Sequence, residues 1–327
     1  MNLSRRVLVT GASGFVGANL ARRMLLDGHE VHLLLRPKHK PWRLQEIASD
    51  VTVHQVDLGD REGVEKAMAA SRPHWVFHLA AHGAYPTQKD TNQMIETNVR
   101  GTANLLQAAS TARVEAFVNA GTSSEYGYKD HAPDEDERLE PNSDYAVTKA
   151  AATMFCRHAA TRTGLPVTTL RLYSVYGPYE EPARLVPTLI VQGLEGRLPP
   201  LVNPDVARDY IHVDDACEAF VLAAATADPD PGVVYNVGSG VQTTLREIVA
   251  AARRILGIEA EPVWGSMPER SWDTNVWVSN PSRIKASLGW SARHDLESGL
   301  TETVRWFKLH PDHLNRYRAA QSSPVRS

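Results

Sequence analysis

A tyrosine and a lysine stand four residues apart in the segment SDYAVTKAA, as Tyr145 and Lys149. The segment is predicted to be helical, and residues at i and i+4 share a helix face. A phenol has a pKa near ~10 and is a poor base, but a neighbouring ammonium stabilises the phenolate. The pair is therefore suited to moving a proton to or from a hydroxyl or carbonyl group during hydride transfer, with an ordinary surface pair as the alternative.

A hydroxyl-rich segment precedes this helix. The sequence VNAGTSSEYG carries a predicted strand into Thr122, Ser123 and Ser124. In a parallel sheet these residues lie at the carboxyl edge, where ligands bind. A hydroxyl there donates to the reacting oxygen and stabilises its developing charge, so the segment is predicted to supply a third catalytic group.

A glycine-rich loop lies near the start of the chain. The segment VLVTGASGFVGANL places Gly11, Gly14 and Gly17 between a predicted strand and a predicted helix. The first glycine permits a tight turn, the second lets the backbone approach a pyrophosphate, and the third lets the helix pack on the sheet. The helix N-terminus, with Phe15 and Val16 in its first turn, favours anions. We therefore predict a dinucleotide site, with a simple turn as the alternative.

The ends of the next two predicted strands bear on the choice of dinucleotide. The second strand ends in Arg36, with Lys38 close behind, where an acidic residue would bind the ribose 2′-hydroxyl of NAD. A guanidinium suits a 2′-phosphate, so NADP(H) is favoured and NAD(H) remains possible. A solvated charge is the alternative for Arg36. Asp57, followed by Leu58, is predicted either to bind the adenine amino group or to cap a helix.

Strand-like and helix-like segments alternate through the first half of the chain. Strands are predicted at residues 6–10, 30–35, 51–56, 75–79, 116–119 and 167–172, with helices at 14–26, 61–71, 92–112 and 144–163. This alternation predicts an α/β fold, a Rossmann-type doubly wound parallel sheet. Residues 1–174 are predicted to form the dinucleotide domain, and residues 175–318 mostly a smaller α/β substrate lobe with possible return segments to the first domain. Residues 319–327 are expected to be a flexible tail.

Charge and composition exclude several classes of protein. The 327 residues carry 35 basic and 38 acidic side chains, which excludes a basic footprint for nucleic acid. The longest apolar runs are too short for a membrane span, and the N-terminus lacks a signal-peptide pattern. Two cysteines, Cys156 and Cys217, do not form a disulfide framework. These features predict a cytoplasmic protein.

Several motifs in order resemble the extended short-chain dehydrogenase/reductase family of nucleotide-sugar epimerases, dehydratases and reductases. They are TGASGFVG, HLAA, TNVRGTANLL, TSSEYG, YAVTK, VYGP, RDYIHVDD, YNVGSG and LGW, spread over about residues 5–309. The resemblance implies a nucleotide-sugar substrate and a homodimer formed through the helices at 92–112 and 144–163.

The resemblance also assigns roles to single residues. It implies that Thr122, Tyr145 and Lys149 form the catalytic trio and that Tyr145 and Lys149 also contact the cofactor. Leu79, Ala80 and Ala81 would line the cofactor, and Asn98 would brace that loop. Arg208 and Arg270 match arginines that clamp the substrate pyrophosphate, while Ser174 stands where the family usually has asparagine. His82, Ser123 and Ser124 are expected near the sugar. No metal site is predicted, since His78 and His82 do not share a face.

Three reactions remain open on this scaffold. Dehydratases of the family carry acidic residues directly after the catalytic hydroxyl, where this chain has Ser123 and Ser124; Glu125 is one position later and is expected to point away. The segments AAHGAYP, FVNAGTS and WGSMPERSWDTNVWVSN resemble the CDP-3,6-dideoxyhexose synthases. Together with Arg36 they favour an NADPH-dependent 4-ketoreductase. The alternative is an NAD-dependent 4-epimerase, followed by a 4,6-dehydratase or a non-catalytic dinucleotide-binding protein.

Overall fold

The computed structural model describes residues 4–226, 230–268 and 274–322, and its centre is a parallel sheet. The strands are β1 (Arg6–Thr10), β2 (Glu30–Leu35), β3 (Val51–Gln55), β4 (Trp75–His78), β5 (Ala116–Thr122), β6 (Val167–Leu172), β7 (Ser174–Tyr176), β8 (Ala207–Arg208), β9 (Tyr210–His212), β10 (Val234–Val237) and β11 (Thr243–Thr244). Seven of them form the sheet in the order β10-β6-β5-β4-β1-β2-β3, with every neighbouring pair parallel. The prediction of a doubly wound α/β fold is confirmed.

Helices cover both faces of this sheet. They are α1 (Phe15–Leu26), α2 (Arg61–Ser71), α3 (Thr91–Met94), α4 (Gly101–Ala112), α5 (Asp144–Thr163), α6 (Leu185–Gly193), α7 (Val213–Ala225), α8 (Leu245–Leu256), α9 (Ser282–Leu288), α10 (Leu296–Leu309) and α11 (Pro311–Ser322). A π-helical turn (Ile95–Arg100) joins α3 to α4. No helix in the described part of the chain has the length and apolar character needed to cross a membrane.

The alternation of side chains along the buried strands separates two hydrophobic cores. In β1, Val7 and Val9 pack with α1 and α7 on one face, whereas Leu8 packs with α2, α4 and α5 on the other. A third core joins α6, α8, α10 and α11 through residues such as Leu189 and Phe307. The first two cores fix the strands whose ends carry the glycine loop and the hydroxyl segment.

The C-terminal half contributes to both parts of the molecule. Strand β10 pairs with β6 in the main sheet, and α7 packs against the same face as α1. Asp209 lies between β8 and β9, and its buried carboxylate accepts hydrogen bonds from Ser239, Gly240 and Ser279. The division at residue 174 stays a prediction.

The prediction that a flexible tail begins at residue 319 is wrong for residues 319–322. Residues 319–322 are the last turn of α11, and Gln321 Nε2 donates to the Pro182 carbonyl oxygen at 2.8 Å. Tyr317 in the same helix is fully buried. Sequence patterning missed α11 because its packing surface lies far away in the chain, on the segment around Pro182. Residues 323–327 lie outside the described residues.

An ion pair between Glu125 and Arg171 lies in the interior beside the end of β5. Glu125 Oε2 is 2.9 Å from Arg171 Nε, and both side chains are buried. Arg171 also donates to Tyr126 Oη at 2.8 Å and to the Glu135 carbonyl oxygen at 3.0 Å. Residues 123–126 form a 3₁₀ turn, so the strand that was predicted to run into Ser123 and Ser124 ends at Thr122. The expectation that Glu125 points away from Ser123 and Ser124 agrees with this pairing.

We predict that Glu125→Gln lowers the free energy of unfolding by about 3–5 kcal/mol, since it leaves a buried guanidinium without its counter-ion. Urea unfolding followed by circular dichroism measures the change. Glu62→Gln is the matched control, because Glu62 is 83% exposed and its ion pair with Lys66 Nζ is long, at 3.7 Å. A loss for Glu125→Gln no larger than that of the control would contradict the structural role of the pair.

Candidate active site

Three chain segments meet at the carboxyl edge of the sheet because β1, β4 and β5 are neighbours in register. Thr10 pairs with His78, and His78 pairs with Asn119. The glycine loop follows β1, the segment Leu79–Ala81 follows β4, and Thr122 ends β5. The structure therefore brings together the residues that the sequence assigned to cofactor binding and to catalysis.

The glycine loop is shaped for close backbone approach. Gly11 has φ +71°, and a Cβ there would lie 2.5 Å from the Leu79 carbonyl carbon and the Ala80 nitrogen. A Cβ on Gly17 would lie 2.5 Å from the Gly11 carbonyl oxygen. Gly14 is the N-cap of α1, and no described side chain caps the free N–H groups of its first turn. This cradle fits a pyrophosphate, because the helix start keeps its donors and its positive dipole end for an anion.

The residues expected at the adenosine end lie along the neighbouring strand ends. Arg36 is exposed directly after β2. Asp57 follows β3, and its Oδ1 accepts the Gly59 N–H at 2.9 Å, while Leu58 is buried below it. The cap of α2 is Asp60, which accepts from Gly63, so the alternative of Asp57 as the helix cap is wrong. Their contacts to a dinucleotide stay predictions.

Asn98 fixes the loop after β4. Its Oδ1 accepts the His82 N–H and its Nδ2 donates to the His82 carbonyl oxygen, both at 2.8 Å. Nδ2 also donates to Thr148 Oγ1 at 2.9 Å, which ties the loop to α5. Asn98 lies in the π-helical turn, a deviation that occurs often at functional sites. These hydrogen bonds fix the position of the loop that begins with Leu79, Ala80 and Ala81.

The three predicted catalytic residues lie together. Ser143 Oγ caps α5 by accepting the Ala146 N–H at 3.2 Å, which places Tyr145 in the first turn. The phenol of Tyr145 lies beside the hydroxyl of Thr122, which acts to lower its pKa. Lys149, one turn further, is buried and donates to the Ala120 carbonyl oxygen at 2.6 Å. A sugar oxygen between Thr122 and Tyr145 would contact both hydroxyls.

The environment of Tyr145 sets its proton affinity. Burial raises the pKa of Tyr145 to about 12, whereas the hydrogen bond with Thr122 and the charge of Arg184 act to lower it. Sequence analysis gave this lowering to Lys149, whose role stays a prediction. It missed Arg184, the N-cap residue of α6, because no motif distinguishes this arginine from its neighbours in the chain.

Two of the expected substrate-binding residues, Ser123 and Arg208, contact the same tryptophan, Trp277. Trp277 Nε1 donates to Ser123 Oγ at 3.2 Å, and the guanidinium carbon of Arg208 lies 5.6 Å from the centre of the Trp277 ring. Ser124 N–H donates to Thr122 Oγ1, and Ser174 begins β7. Arg270 lies outside the described residues. The contacts of these residues with a substrate stay predictions.

Burial lowers the pKa of the two histidines near the site, His78 and His82. Burial and then the charge of Lys149 lower the pKa of His78 to about 3, and its ring nitrogens are bonded to Thr10 and Thr102. Burial, with a further contribution from Arg36, also lowers the pKa of His82. Elsewhere, the side chains of His212, Asp214 and Glu302 come close enough to share an ion. His212 Nδ1, however, already accepts the Asp214 N–H as the cap of α7.

We predict that Gly11→Ala abolishes dinucleotide binding, because its Cβ would collide with the backbone after β4. Isothermal titration with NAD⁺ and NADP⁺ measures the loss. Gly28→Ala is the matched control, since Gly28 also has a positive φ, +81°, but has no atom within 4 Å of the added Cβ. Binding by Gly11→Ala as tight as by Gly28→Ala would contradict the proposed cradle.

Comparison with known proteins agrees with this geometry. The model of the NAD dependent epimerase/dehydratase family matches residues 7–238. A dTDP-glucose 4,6-dehydratase from Streptomyces griseus is 30% identical over 94% of this chain and 95% of its own length. A UDP-glucose 4-epimerase from Mycolicibacterium smegmatis is 31% identical over 93% of this chain and 98% of its own.

A solved structure shows the same fold. The UDP-glucose 4-epimerase of Thermus thermophilus in complex with NAD superposes with a TM-score of 0.81 and is 31% identical, covering 93% of this chain and 99% of the other. The motifs, the fold and the relatives agree. The chain therefore belongs to the NAD-dependent epimerase/dehydratase family and is a nucleotide-sugar enzyme of the extended short-chain dehydrogenase/reductase type.

Proposed function

We propose that this protein inverts C4 of a nucleotide-linked sugar through a transient 4-keto sugar. The observation that carries the proposal is the placement of the Tyr145 phenol beside the Thr122 hydroxyl, at the sheet edge that also carries the glycine loop. This arrangement holds one sugar oxygen beside an acid–base group and a dinucleotide site. The names of the relatives support the same chemistry, because epimerases and 4,6-dehydratases of nucleotide sugars are among them.

The residues divide the work around the sugar oxygen. Thr122 orients the C4 oxygen, and Tyr145 takes its proton during oxidation and returns it during reduction. Arg184 favours the phenolate because its charge lowers the pKa of Tyr145. Lys149 contributes a second positive charge, and its hydrogen bond to the Ala120 carbonyl oxygen connects helix α5 to strand β5. A bound nicotinamide dinucleotide supplies the acceptor and donor of the hydride at C4.

A 4,6-dehydratase reaction is less well supported by the residues present. Removal of water from the sugar requires a further acid and base, which the family's dehydratases place directly after the catalytic hydroxyl. Here Ser123 and Ser124 occupy these positions, and Ser123 accepts from Trp277. Glu125 is paired with Arg171 in the interior. Epimerisation needs no such pair.

A second candidate is an NADPH-dependent 4-ketoreductase, favoured by the segment after β2. Residues 36–45 read RPKHKPWRLQ, which contains four arginines and lysines and no acidic residue. Arg36, Lys38 and Lys40 are exposed there. This charge suits a ribose 2′-phosphate, and NADPH serves reductases that exchange their cofactor in each turnover. The resemblance to CDP-3,6-dideoxyhexose synthases supports the same candidate.

The dinucleotide that copurifies with the protein distinguishes the two candidates. Mass spectrometry of the small molecules released by denaturation measures its identity and amount. Close to one NAD per chain supports the epimerase, since that reaction returns the hydride and gains from a retained cofactor. An empty protein that then binds NADPH more tightly than NADH supports the reductase and contradicts the epimerase.

We further propose that Arg208 binds the pyrophosphate of the nucleotide sugar and that Arg270 completes this clamp. Arg208 lies beside Trp277, which in turn contacts Ser123 next to the catalytic hydroxyl. A pyrophosphate at Arg208 would therefore place the attached sugar close to Thr122. Arginine forms bidentate bonds with phosphate oxygens, which suits this role.

A homodimer through α4 and α5 is part of the proposal. Helix α5 exposes Val147 by 51%, Met154 by 60% and Phe155 by 43%, and Ile95 before α4 is 45% exposed. These residues lie on the helices through which the resemblance implies a four-helix interface. An apolar stripe of this kind on a helix is typical of a contact surface.

The cell compartment is proposed from the thiols. Cys156 and Cys217 are both free and buried, and burial raises the pKa of each. Buried thiols are unreactive in both reducing and oxidising compartments. The proposal of a cytoplasmic protein therefore rests on the small number of cysteines and not on their reactivity.

We predict that Tyr145→Phe lowers kcat by about 10²- to 10⁴-fold, because it removes the proton acceptor and donor. Dinucleotide affinity should stay within about twofold, since the ring still fills its place; titration of the same variant provides the control. Turnover of Tyr145→Phe at the wild-type rate would remove this residue from the mechanism.

We predict that Arg36→Ala weakens NADP⁺ binding by about 10- to 100-fold and NAD⁺ binding by less than about threefold, the loss expected for charge-assisted hydrogen bonds. Arg61→Ala is the control, because Arg61 is exposed on α2 and pairs with Glu65. Equal losses for both dinucleotides would contradict binding of a 2′-phosphate.

We predict that Met154→Glu combined with Phe155→Glu converts a dimer into a monomer, because the variant places two charges in the apolar interface. Light scattering after size-exclusion chromatography measures the mass. Leu26→Glu is the control, since Leu26 is 85% exposed on α1, away from this surface. A monomeric wild-type protein would contradict the proposed interface.

A further inference from the structure

Arg43 is a buried arginine to which the proposed reaction gives no role. It lies in the basic segment after β2, and only 4% of the residue is exposed. A buried guanidinium is costly unless its N–H groups are bonded and its charge is paired. The partners of Arg43 therefore indicate what its burial holds in place.

These partners come from two different regions. Nη1 donates to the Ser13 carbonyl oxygen at 3.3 Å, inside the glycine loop between Gly11 and Gly14. Nε donates to the Tyr179 carbonyl oxygen at 2.7 Å, and Nη2 pairs with Glu181 Oε2 at 3.0 Å. One side chain thus connects the dinucleotide cradle to the segment between β7 and α6, which we call the 177–184 segment.

The 177–184 segment is held in an unusual conformation. Tyr179 has φ +67°, which a residue with a side chain adopts only where its surroundings enforce it. Besides Arg43, Asn19 Nδ2 of α1 donates to the Pro178 carbonyl oxygen at 2.9 Å, and the Tyr179 hydroxyl donates to Glu46 Oε2 at 2.5 Å. The segment is thereby fixed against the cofactor side of the fold.

The same segment carries a charge that acts on the phenol of Tyr145. It ends at Arg184, whose charge lowers the pKa of Tyr145. Arg184 Nε lies 3.7 Å from Glu180 Oε1, and the carboxyl of Glu180 is buried within the segment. A shift of the segment would therefore move Arg184 relative to the phenol.

We propose that Arg43 is a positioning residue that couples occupation of the glycine loop to the placement of the 177–184 segment. A ligand that fixes the Ser13 carbonyl fixes one partner of Arg43, and the other two partners hold the segment. Such a coupling is reciprocal, so correct placement of the segment also strengthens the binding of the dinucleotide. The proposal rests on the proposed function only in requiring a dinucleotide at the glycine loop.

Hydrogen exchange measured by mass spectrometry tests the coupling without turnover. Full-length protein is compared with and without saturating NAD⁺ or NADP⁺, whichever titration shows to bind more tightly. In the wild type, we expect protection of residues 11–17, which contact the ligand, and also of the 177–184 segment. In Arg43→Gln, protection of 11–17 persists, but the ligand-induced change at 177–184 falls by about fivefold or more.

Two further variants separate positioning from folding. Glu181→Gln removes one partner of Arg43 at a side chain that is 37% exposed, and it is expected to reduce the same change if Arg43→Gln is unstable. Arg23→Gln is the matched control: Arg23 pairs with Glu218 of α7 at 2.7 Å without contacting the glycine loop, so protection at 177–184 should remain.

Kinetics provide a second readout. Arg43→Gln should lower kcat about tenfold or more while the KM for the sugar nucleotide changes little, because Tyr145 is affected rather than the Arg208 side of the pocket. Arg43→Lys should recover part of kcat. Unchanged protection at 177–184 in Arg43→Gln and Glu181→Gln, or no protection there in the wild type, overturns the inference. Failure of the wild type to bind either dinucleotide overturns the proposed function and this inference with it.

Discussion

The backbone contact at Gly11 is the constraint on which the rest of the site depends. Any side chain there would collide with the peptide between Leu79 and Ala80, so the ends of β1 and β4 could not approach each other. Their close approach determines the position of the loop after β4, which Asn98 fixes through two hydrogen bonds to the backbone of His82. It also leaves the start of α1 free to receive an anion. The positions of the dinucleotide-binding loop and of the catalytic residues therefore both depend on this close contact between two backbone segments.

A second interaction determines which chemistry the edge can support. The pairing of Glu125 with Arg171 holds this carboxylate, which follows Thr122 by three residues, in the interior. The hydroxyls of Thr122 and Tyr145 remain at the surface of the site, and they suit proton transfer at a single sugar oxygen. A buried ion pair thereby contributes to specificity as well as to folding, since it limits the number of acid–base groups around the sugar.

Local patterns were sufficient to predict the elements that carry their own start and stop signals. Helices α2 and α5 were predicted with the observed bounds, because Asp60 and Ser143 cap them and Gly164 ends the second. The glycine loop, Thr122, Tyr145 and Lys149 were placed at the correct edge because parallel strands direct their carboxyl ends to one side.

Features that depend on distant contacts were not predictable in this way. The π-helical turn at Asn98, the helix α11 and the position of Arg184 follow from packing between segments far apart in the chain. The role of Arg43 depends on three partners, of which Tyr179 and Glu181 lie 136 and 138 residues away. No spacing in the sequence signals such contacts, because they form only when the two halves of the chain fold together.

The central claim is that Tyr145 moves a proton while hydride leaves and returns at C4 of a nucleotide-linked sugar. The most direct measurement incubates the protein with UDP-, dTDP-, CDP- and GDP-glucose deuterated at C4 and follows the sugar by proton NMR and mass spectrometry. The account predicts, for at least one nucleotide, a product inverted at C4 that keeps its deuterium. Recovery of all four sugars unchanged, or inversion with loss of the deuterium to solvent, would contradict it.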